Sequence, residues 1–304
     1  MRALAIVAAG LCCCTVMMVG EAHADAGGAL EHPADGSVAP RGANDWQCGP
    51  SATHPEPVVL VHGTWGNQNN WDVLAPELRS EGYCVFSLNY GRDTSSIYGG
   101  RPGVYGTGDI PDSARELAAF VEKVRAATHS TRVDIVSHSQ GGVVTRQYLR
   151  FEGGANPAEP ERNTVRKVVM IAATNHGTTA LDMGRLVHVG STSEPAHRAV
   201  GAVLGEAAAQ QVVGSDFLQR LNAGGDTEPG VHYTVVASSV DQVTTPPGST
   251  FLVAGPRAEV DNIWLQAVCP SDTFDHGRLT ESPTVIRIVK RALDPSSGEL
   301  SCAA

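Results

Sequence analysis

The stretch with the most pointed chemistry is Ser137-His138-Ser139-Gln140-Gly141-Gly142. It follows the β-branched run Val133-Asp134-Ile135-Val136 and precedes Val143 to Leu149, which can be helical, so the order is strand, sharp turn, helix. A serine at the apex of such a turn stands clear of the backbone, and only small residues fit two places before and after it. Those places hold Ser137 and Gly141. An ordinary serine in a Gly-rich turn is the plainer reading; the strand before and the helix after favour Ser139 as a nucleophile.

A serine hydroxyl attacks only when a base takes its proton, and the base needs a carboxylate to hold its tautomer. Asp241 is the best-placed acid: it follows the strand-like run Val231 to Ser238 and precedes Val243-Thr244-Thr245-Pro246-Pro247, which cannot continue a sheet. Asp216, Asp226 and Asp261 are rivals, each more simply a solvated carboxylate or a helix cap. His188, His197, His232 and His276 follow the serine. Of these, His276 lies beyond the last strand-like run, Asn262 to Val268, and ahead of a terminal helix expected over Pro283 to Leu293, with Gly277 allowing the loop to bend back over the sheet. It is the candidate base. A transition-state oxyanion needs backbone N–H groups from two places. Gln140, directly after the nucleophile, supplies one. The turn His62-Gly63-Thr64-Trp65-Gly66 supplies the other through Thr64, with Trp65 as the neighbouring alternative. No G-x-G-x-x-G or Walker pattern and no C-x-x-C or C-x-x-H pair occurs, so neither a nucleotide cofactor nor a metal is expected.

These groups need a frame. Val58 to Val61, Cys84 to Leu88, Val133 to Val136, Val168 to Ile171 and Tyr233 to Val236 are short, apolar and β-branched, and read as buried parallel strands. Between them, Asn70 to Glu81 and Pro111 to Thr128 carry apolar residues at helical spacing. The alternation predicts an α/β fold: a doubly wound, mostly parallel sheet with helices on both faces and its crevice at the carboxyl ends of the strands. Residues 178–230 exceed an ordinary connection. They read either as one more crossover helix, Ala199 to Asn222, or as a cap or lid over the site.

The composition, 42% hydrophobic and 18% charged over 304 residues, is that of a globular chain. Its 22 Lys and Arg against 32 Asp and Glu leave a formal charge of −10, which excludes a field that attracts nucleic acid. Arg2, the apolar run Ala3 to Gly20 and Ala22-His23-Ala24 predict a leader over 1–24, cleaved near Ala24, and hence secretion. A single membrane anchor is the competing reading. Residues 25–45, without apolar period, are expected as a flexible arm, and 46–304 as one catalytic domain. Cys12, Cys13 and Cys14 fall in the leader; Cys48, Cys84, Cys269 and Cys302 remain, and exported thiols pair. Three connectivities exist. Cys48–Cys84 with Cys269–Cys302 is favoured, since each ties a terminus to its nearest strand.

Taken together, the motifs resemble the secreted class 2 bacterial lipases of the α/β-hydrolase fold. The resemblance is carried by Pro57 to Thr64, Gly82 to Phe86 with Asn89-Tyr90-Gly91, Ser137 to Gly142, Thr174-Asn175-His176-Gly177-Thr178-Thr179 and Asp275-His276-Gly277, and runs from about Asn44 onward. Ser137 stands where that family has Gly or Ala. The resemblance implies hydrolysis of acylglycerol esters through an acyl-enzyme on Ser139, with Asp241 and His276 completing the triad, no cofactor, a lipid or small ester substrate, transient contact with a lipid–water interface and no obligate protein partner. An acyltransferase using the same acyl-enzyme, or a non-catalytic binding protein on this scaffold, are the alternatives. Nothing suggests a peptide groove.

Overall fold

The computed structural model describes residues 33–179 and 194–302. The expected leader, the start of the expected arm and residues 180–193 of the long 178–230 segment lie outside them.

Six parallel strands form one sheet: β1 (Val58–Val61), β2 (Val85–Ser87), β3 (Val133–His138), β4 (Val165–Ile171), β5 (His232–Ala237) and β6 (Glu259–Trp264), in the order β2-β1-β3-β4-β5-β6. The helices are α1 (Leu74–Ser80), α2 (Ile110–Thr128), α3 (Gln140–Phe151), α4 (Glu194–Leu204), α5 (Glu206–Gln210), α6 (Asp216–Asn222) and α7 (Pro283–Leu293). Because side chains alternate along a strand, β1 feeds two cores. Val59 and Val61 face α2 and α3 with Leu117, Val121, Val143 and Val144; Val58 and Leu60 face α1 and α7 with Leu74, Leu78, Val285 and Val289. This is the α/β, doubly wound sheet with both faces covered that the alternation predicts.

The helix ends follow local rules. The Asp109 carboxylate accepts from Asp112 N–H ahead of Pro111, and α2 stops at His129 in the left-handed region (φ 55°). Ser282 caps α7 through Val285 N–H, again with proline in the first turn.

Three expectations change. The strand-like run Asn262 to Val268 splits: β6 ends at Trp264, and Leu265–Val268 is a single helical turn. The crossover helix read over Ala199 to Asn222 is three pieces: Gly205 (φ 101°), where a Cβ would lie 2.5 Å from Thr107 O, parts the first two, and Gly214 (φ 82°) with Ser215 capping Leu218 N–H parts the last. The described part of the arm is tied down. Gly36 O accepts from Gln68 Nε2 and Asn89 Nδ2, and Ala34 O from Asn67 Nδ2. Asn44 N–H bonds Val85 O, and its side-chain amide bonds both N–H and C=O of Ser87. Composition showed no apolar stripe to order this strap, and amide side chains on other segments order it instead.

Candidate active site

The turn after β3 places Ser139 at φ 54° and ψ −125°, a conformation that costs a non-glycine residue roughly 1–3 kcal/mol and persists only where packing over-determines it. Here it does. Ser139 N–H donates to Ile171 O (2.9 Å), and Gly142 N–H donates to Ser139 O (3.0 Å). Glycine is required just beyond: a Cβ on Gly141 would lie 2.3 Å from Val61 O, and one on Gly142 2.3 Å from the Ala173 Cβ. Ser137, two places before, is fully buried, and its hydroxyl donates to Val169 O.

His276 opens the 3-10 turn His276–Glu281, and its Nδ1–H donates to Asp241 Oδ2 at 2.8 Å with both residues buried. The other oxygen of Asp241, Oδ1, accepts from the N–H groups of Val243 (2.8 Å) and Thr244 (2.9 Å). The bend before His276 is not made by Gly277, which has no left-handed backbone; Asp275 makes it by capping Arg278 N–H. Gln266, in the helical turn after β6, joins the two loops: Oε1 accepts from Ser239 N–H, and Nε2 donates to Ser238 Oγ and to Asp272 O. The rivals stand elsewhere. Asp226 is bonded to His176, Asp216 and Asp261 are exposed, and His197 and His232 pair with Glu206 and Glu259. His188 is outside the described residues.

His138 holds His276 from the Ser139 side. Its Nε2–H donates to His276 O (2.9 Å), and the two rings lie 4.9 Å apart. Burial, reinforced by neighbouring His276, pushes His138 down to about 3, so the ring stays neutral.

Thr64 and Trp65 sit in the turn after β1. The carbonyl of Gly63 accepts from His62 Nδ1–H (2.8 Å) and Gly66 N–H (3.2 Å). In a trans peptide the N–H points opposite its C=O, so these bonds aim Thr64 N–H away from the His62 ring. His62 is fully buried, stacks on Tyr90 with centroids 4.3 Å apart, and is pushed down to about 4 by burial. Gly63 packs close to the serine turn: a Cβ added there would lie 2.9 Å from the Ser139 Cβ. Gln140 N–H, at the first position of α3, has no acceptor within the helix. The segment 194–211 reaches the same turn, with Trp65 Nε1–H donating to Leu204 O (2.7 Å) and Gln211 Nε2 to Thr64 Oγ1 (2.9 Å). Sequence reasoning missed Gln266, Gln211 and the bracing by His62 and His138. The two histidines lie inside motifs it did use; nothing local marks the two glutamines.

The disulfides are Cys48–Cys84 and Cys269–Cys302, the favoured connectivity, and the second closes over the loop that leads to His276. Among the described residues no group of three or more His, Cys, Asp or Glu could hold a metal ion, and no helix is long and apolar enough to cross a membrane.

A buried His–Asp pair on a loop that is bonded through His138 to the strained serine turn is a geometry suited to nucleophilic acyl transfer. A model of the family Lipase (class 2) matches residues 55–287. A triacylglycerol lipase of Pseudarthrobacter phenanthrenivorans and one of Burkholderia plantarii are each 33% identical over 96 residues, or 30% of this chain. That match spans only about a quarter of their own length, 27% and 24%. Among solved structures, Aspergillus fumigatus lipase B superposes with a TM-score of 0.61 at 20% identity, over 86% of this chain and 58% of its own. Bacillus licheniformis lipase BlEst2 in its mature form does so with a TM-score of 0.54 at 16% identity, over 80% and 94%. The two structures share the α/β-hydrolase fold with this chain, and the family model spans most of the described sheet and both loops that carry Asp241 and His276; this protein belongs to the class 2 lipase family.

Proposed function

We propose that this protein is a secreted serine ester hydrolase that cleaves carboxylic esters of acylglycerols through an acyl-enzyme on Ser139. The observation that carries the reading is the 2.8 Å bond from His276 Nδ1–H to buried Asp241, which leaves Nε2 of that ring as the free base, on a loop held against the Ser139 elbow through His138. Ser139 Oγ attacks the ester carbonyl carbon while His276 Nε2 takes its proton. The tetrahedral oxyanion receives the N–H groups of Thr64 and Gln140, whose worth is greatest where water is excluded. Collapse expels the alcohol with the proton from His276, and water then repeats the sequence on the acyl-enzyme, returning free Ser139 and a fatty acid. No cofactor takes part.

Support for a lipid substrate comes from the family and from Val240 and Val243, exposed apolar side chains on either side of Asp241, which suit transient contact with a lipid–water interface. Support for a cap comes from the bonds of Leu204, at the end of α4, to Trp65 and of Gln211, just after α5, to Thr64. Two disulfides fit export.

The test is hydrolysis of acylglycerols and p-nitrophenyl esters of increasing chain length, with products analysed in the presence of a competing alcohol. Ser139→Ala should lose on the order of 10⁴ to 10⁶ in kcat and fail to bind a phosphonate covalently. Substantial hydrolysis by that variant overturns the assignment, and acyl transfer to the alcohol in preference to water makes the protein a transferase.

A further inference from the structure

The turn Thr174-Asn175-His176-Gly177-Thr178-Thr179, at the carboxyl end of β4, is not used by the chemistry above. It holds the loop that carries Asp241. The orientation of the Asp241 carboxylate depends on the N–H groups of Val243 and Thr244, and therefore on residues 241–250, whose regular structure is confined to the short 3-10 turn Pro247–Thr250. Four of the loop's carbonyls accept from this turn. Thr178 Oγ1 donates to Val243 O, Thr179 N–H to Thr245 O (3.0 Å), His176 Nδ1–H to Ser249 O (2.8 Å) and Asn175 Nδ2 to Thr250 O (2.7 Å).

His176 differs from the others because its second nitrogen also meets an acceptor. Nε2 stands 3.1 Å from Asp226 Oδ1. A carbonyl and a carboxylate accept and cannot donate, so satisfying both needs a hydrogen on each ring nitrogen, which only the imidazolium has. We infer that His176 is a positioning residue: as an imidazolium it bridges Asp226 and Ser249, and so fixes the 241–250 loop and the direction of the Asp241 carboxylate. This rests on Asp241 being the acid of the proposed triad.

The surrounding charges agree. Asp226, in the segment before β5, faces the ring; its hydrogen bond lifts His176 above the ordinary histidine range, against burial and the charge of Arg146. Burial pushes the Asp226 carboxylate up, but the bonds from His176 and from Val253 N–H (2.8 Å), with Arg146, hold it below its ordinary value. Arg146, from α3, lies 3.6 Å from Asp226 and donates to the carbonyls of Asp226 (3.0 Å) and Asn175 (3.1 Å), so the acceptor side of the bridge is itself anchored. A group whose folded pKa is raised contributes fully below its unfolded value, about 6.5 for histidine, and its contribution is lost as pH rises through the folded value. The two histidines then act in opposite senses. His276 must be neutral to accept a proton, whereas His176 must be charged to hold the acid loop.

The measurement is the pH dependence of kcat and KM on a soluble short-chain p-nitrophenyl ester, beside an NMR titration of ¹⁵N-histidine-labelled wild-type protein. His176→Gln serves to assign the resonance. We expect His176 to carry both ring protons at pH 6.5, and wild-type kcat to fall on the alkaline side with the midpoint of its deprotonation while KM stays level. His176→Gln should lose that alkaline limb and on the order of tenfold in kcat at neutral pH. His176→Lys, whose ammonium can donate to both acceptors and stays charged beyond pH 9, should move the alkaline loss upward. A neutral His176 ring at pH 6.5, or an alkaline limb unchanged in His176→Gln, overturns the inference. The titration reads His176 in the wild-type protein without reference to turnover, so failure of the triad assignment, seen in Ser139→Ala or Asp241→Asn, is told apart from failure of this one.

Discussion

Replacing Asp241 by Asn tests the triad most sharply, because the structure dictates which way the new amide must face. Oδ1 accepts from the N–H groups of Val243 and Thr244, and only an oxygen can do so. The oxygen of the asparagine is therefore held on that side, and its NH₂ is forced toward His276 Nδ1, now 2.8 Å away with a hydrogen of its own. Two donors cannot share that contact. His276 must move its proton to Nε2, the nitrogen that accepts from Ser139 in the proposed mechanism, and loses the charge that supports the imidazolium. The same exchange in serine proteases costs about 10⁴ in kcat, or about 5.5 kcal/mol in the barrier. Among the described residues the neighbouring carboxylates are engaged elsewhere, since Asp275 caps Arg278 N–H, Asp272 accepts from Ser282 Oγ and Asp226 faces His176. Both backbone bonds survive, so the melting temperature should change by only a few degrees. The assay is kcat on a p-nitrophenyl ester beside a thermal melt. Activity within tenfold of wild type in a folded variant refutes the reasoning.

Gly63→Ala probes the proposed oxyanion turn: the added Cβ, 2.9 Å from the Ser139 Cβ, must displace Ser139 or the turn by about half an ångström to reach an ordinary contact. We expect kcat to fall on the order of tenfold with folding intact; a wild-type kcat shows that the two segments give way freely. Replacing Cys48 and Cys84 by Ser opens a loop closed over 36 residues, for which chain entropy suggests a loss of about 4 kcal/mol, or on the order of 10 °C in Tm. An unchanged melting temperature counts against that entropic account.

The parts of this molecule legible from sequence are those where a local pattern is tied to chain order. Val133 to Val136 running into Ser137 to Gly142 is strand, elbow and helix in one window, and the elbow's steric demand appears in the structure as Gly141 pressed against Val61 O. That Asp241 and His276 meet follows from a parallel sheet collecting the ends of its strands along one edge. What is not legible depends on contacts remote in sequence. Gln266 bonds to Ser239 and Asp272 across separations that no periodicity records, and the strap around Gly36 and Asn44 is ordered by Gln68, Asn89 and Ser87. The helix expected over Ala199 to Asn222 failed on apolar spacing alone, because Gly205 answers to its close approach to Thr107 rather than to helical period. The end of β6 was misplaced because Leu265 to Val268 is apolar enough to pass for a strand.

The two margins of the sheet are protected by different physics. At β6 no strand pairs with the outer side among the described residues, and Glu259 and Asp261 stand exposed there, so charge and hydration discourage a second chain from adding itself. At β2 the guard is a single asparagine. Asn44 takes the carbonyl of Val85 with its backbone and both polar groups of Ser87 with its amide, imitating the peptide of a neighbouring strand, and the Cys48–Cys84 bond lies four residues further on. The bond acts as a latch on that imitation. While it is closed, the margin is covered; once it is reduced, lifting the strap would bare Val85-Phe86-Ser87, an apolar template open to intermolecular pairing. Reduction of Cys48–Cys84 then weakens the cover of β2 as well as the fold's resistance to melting.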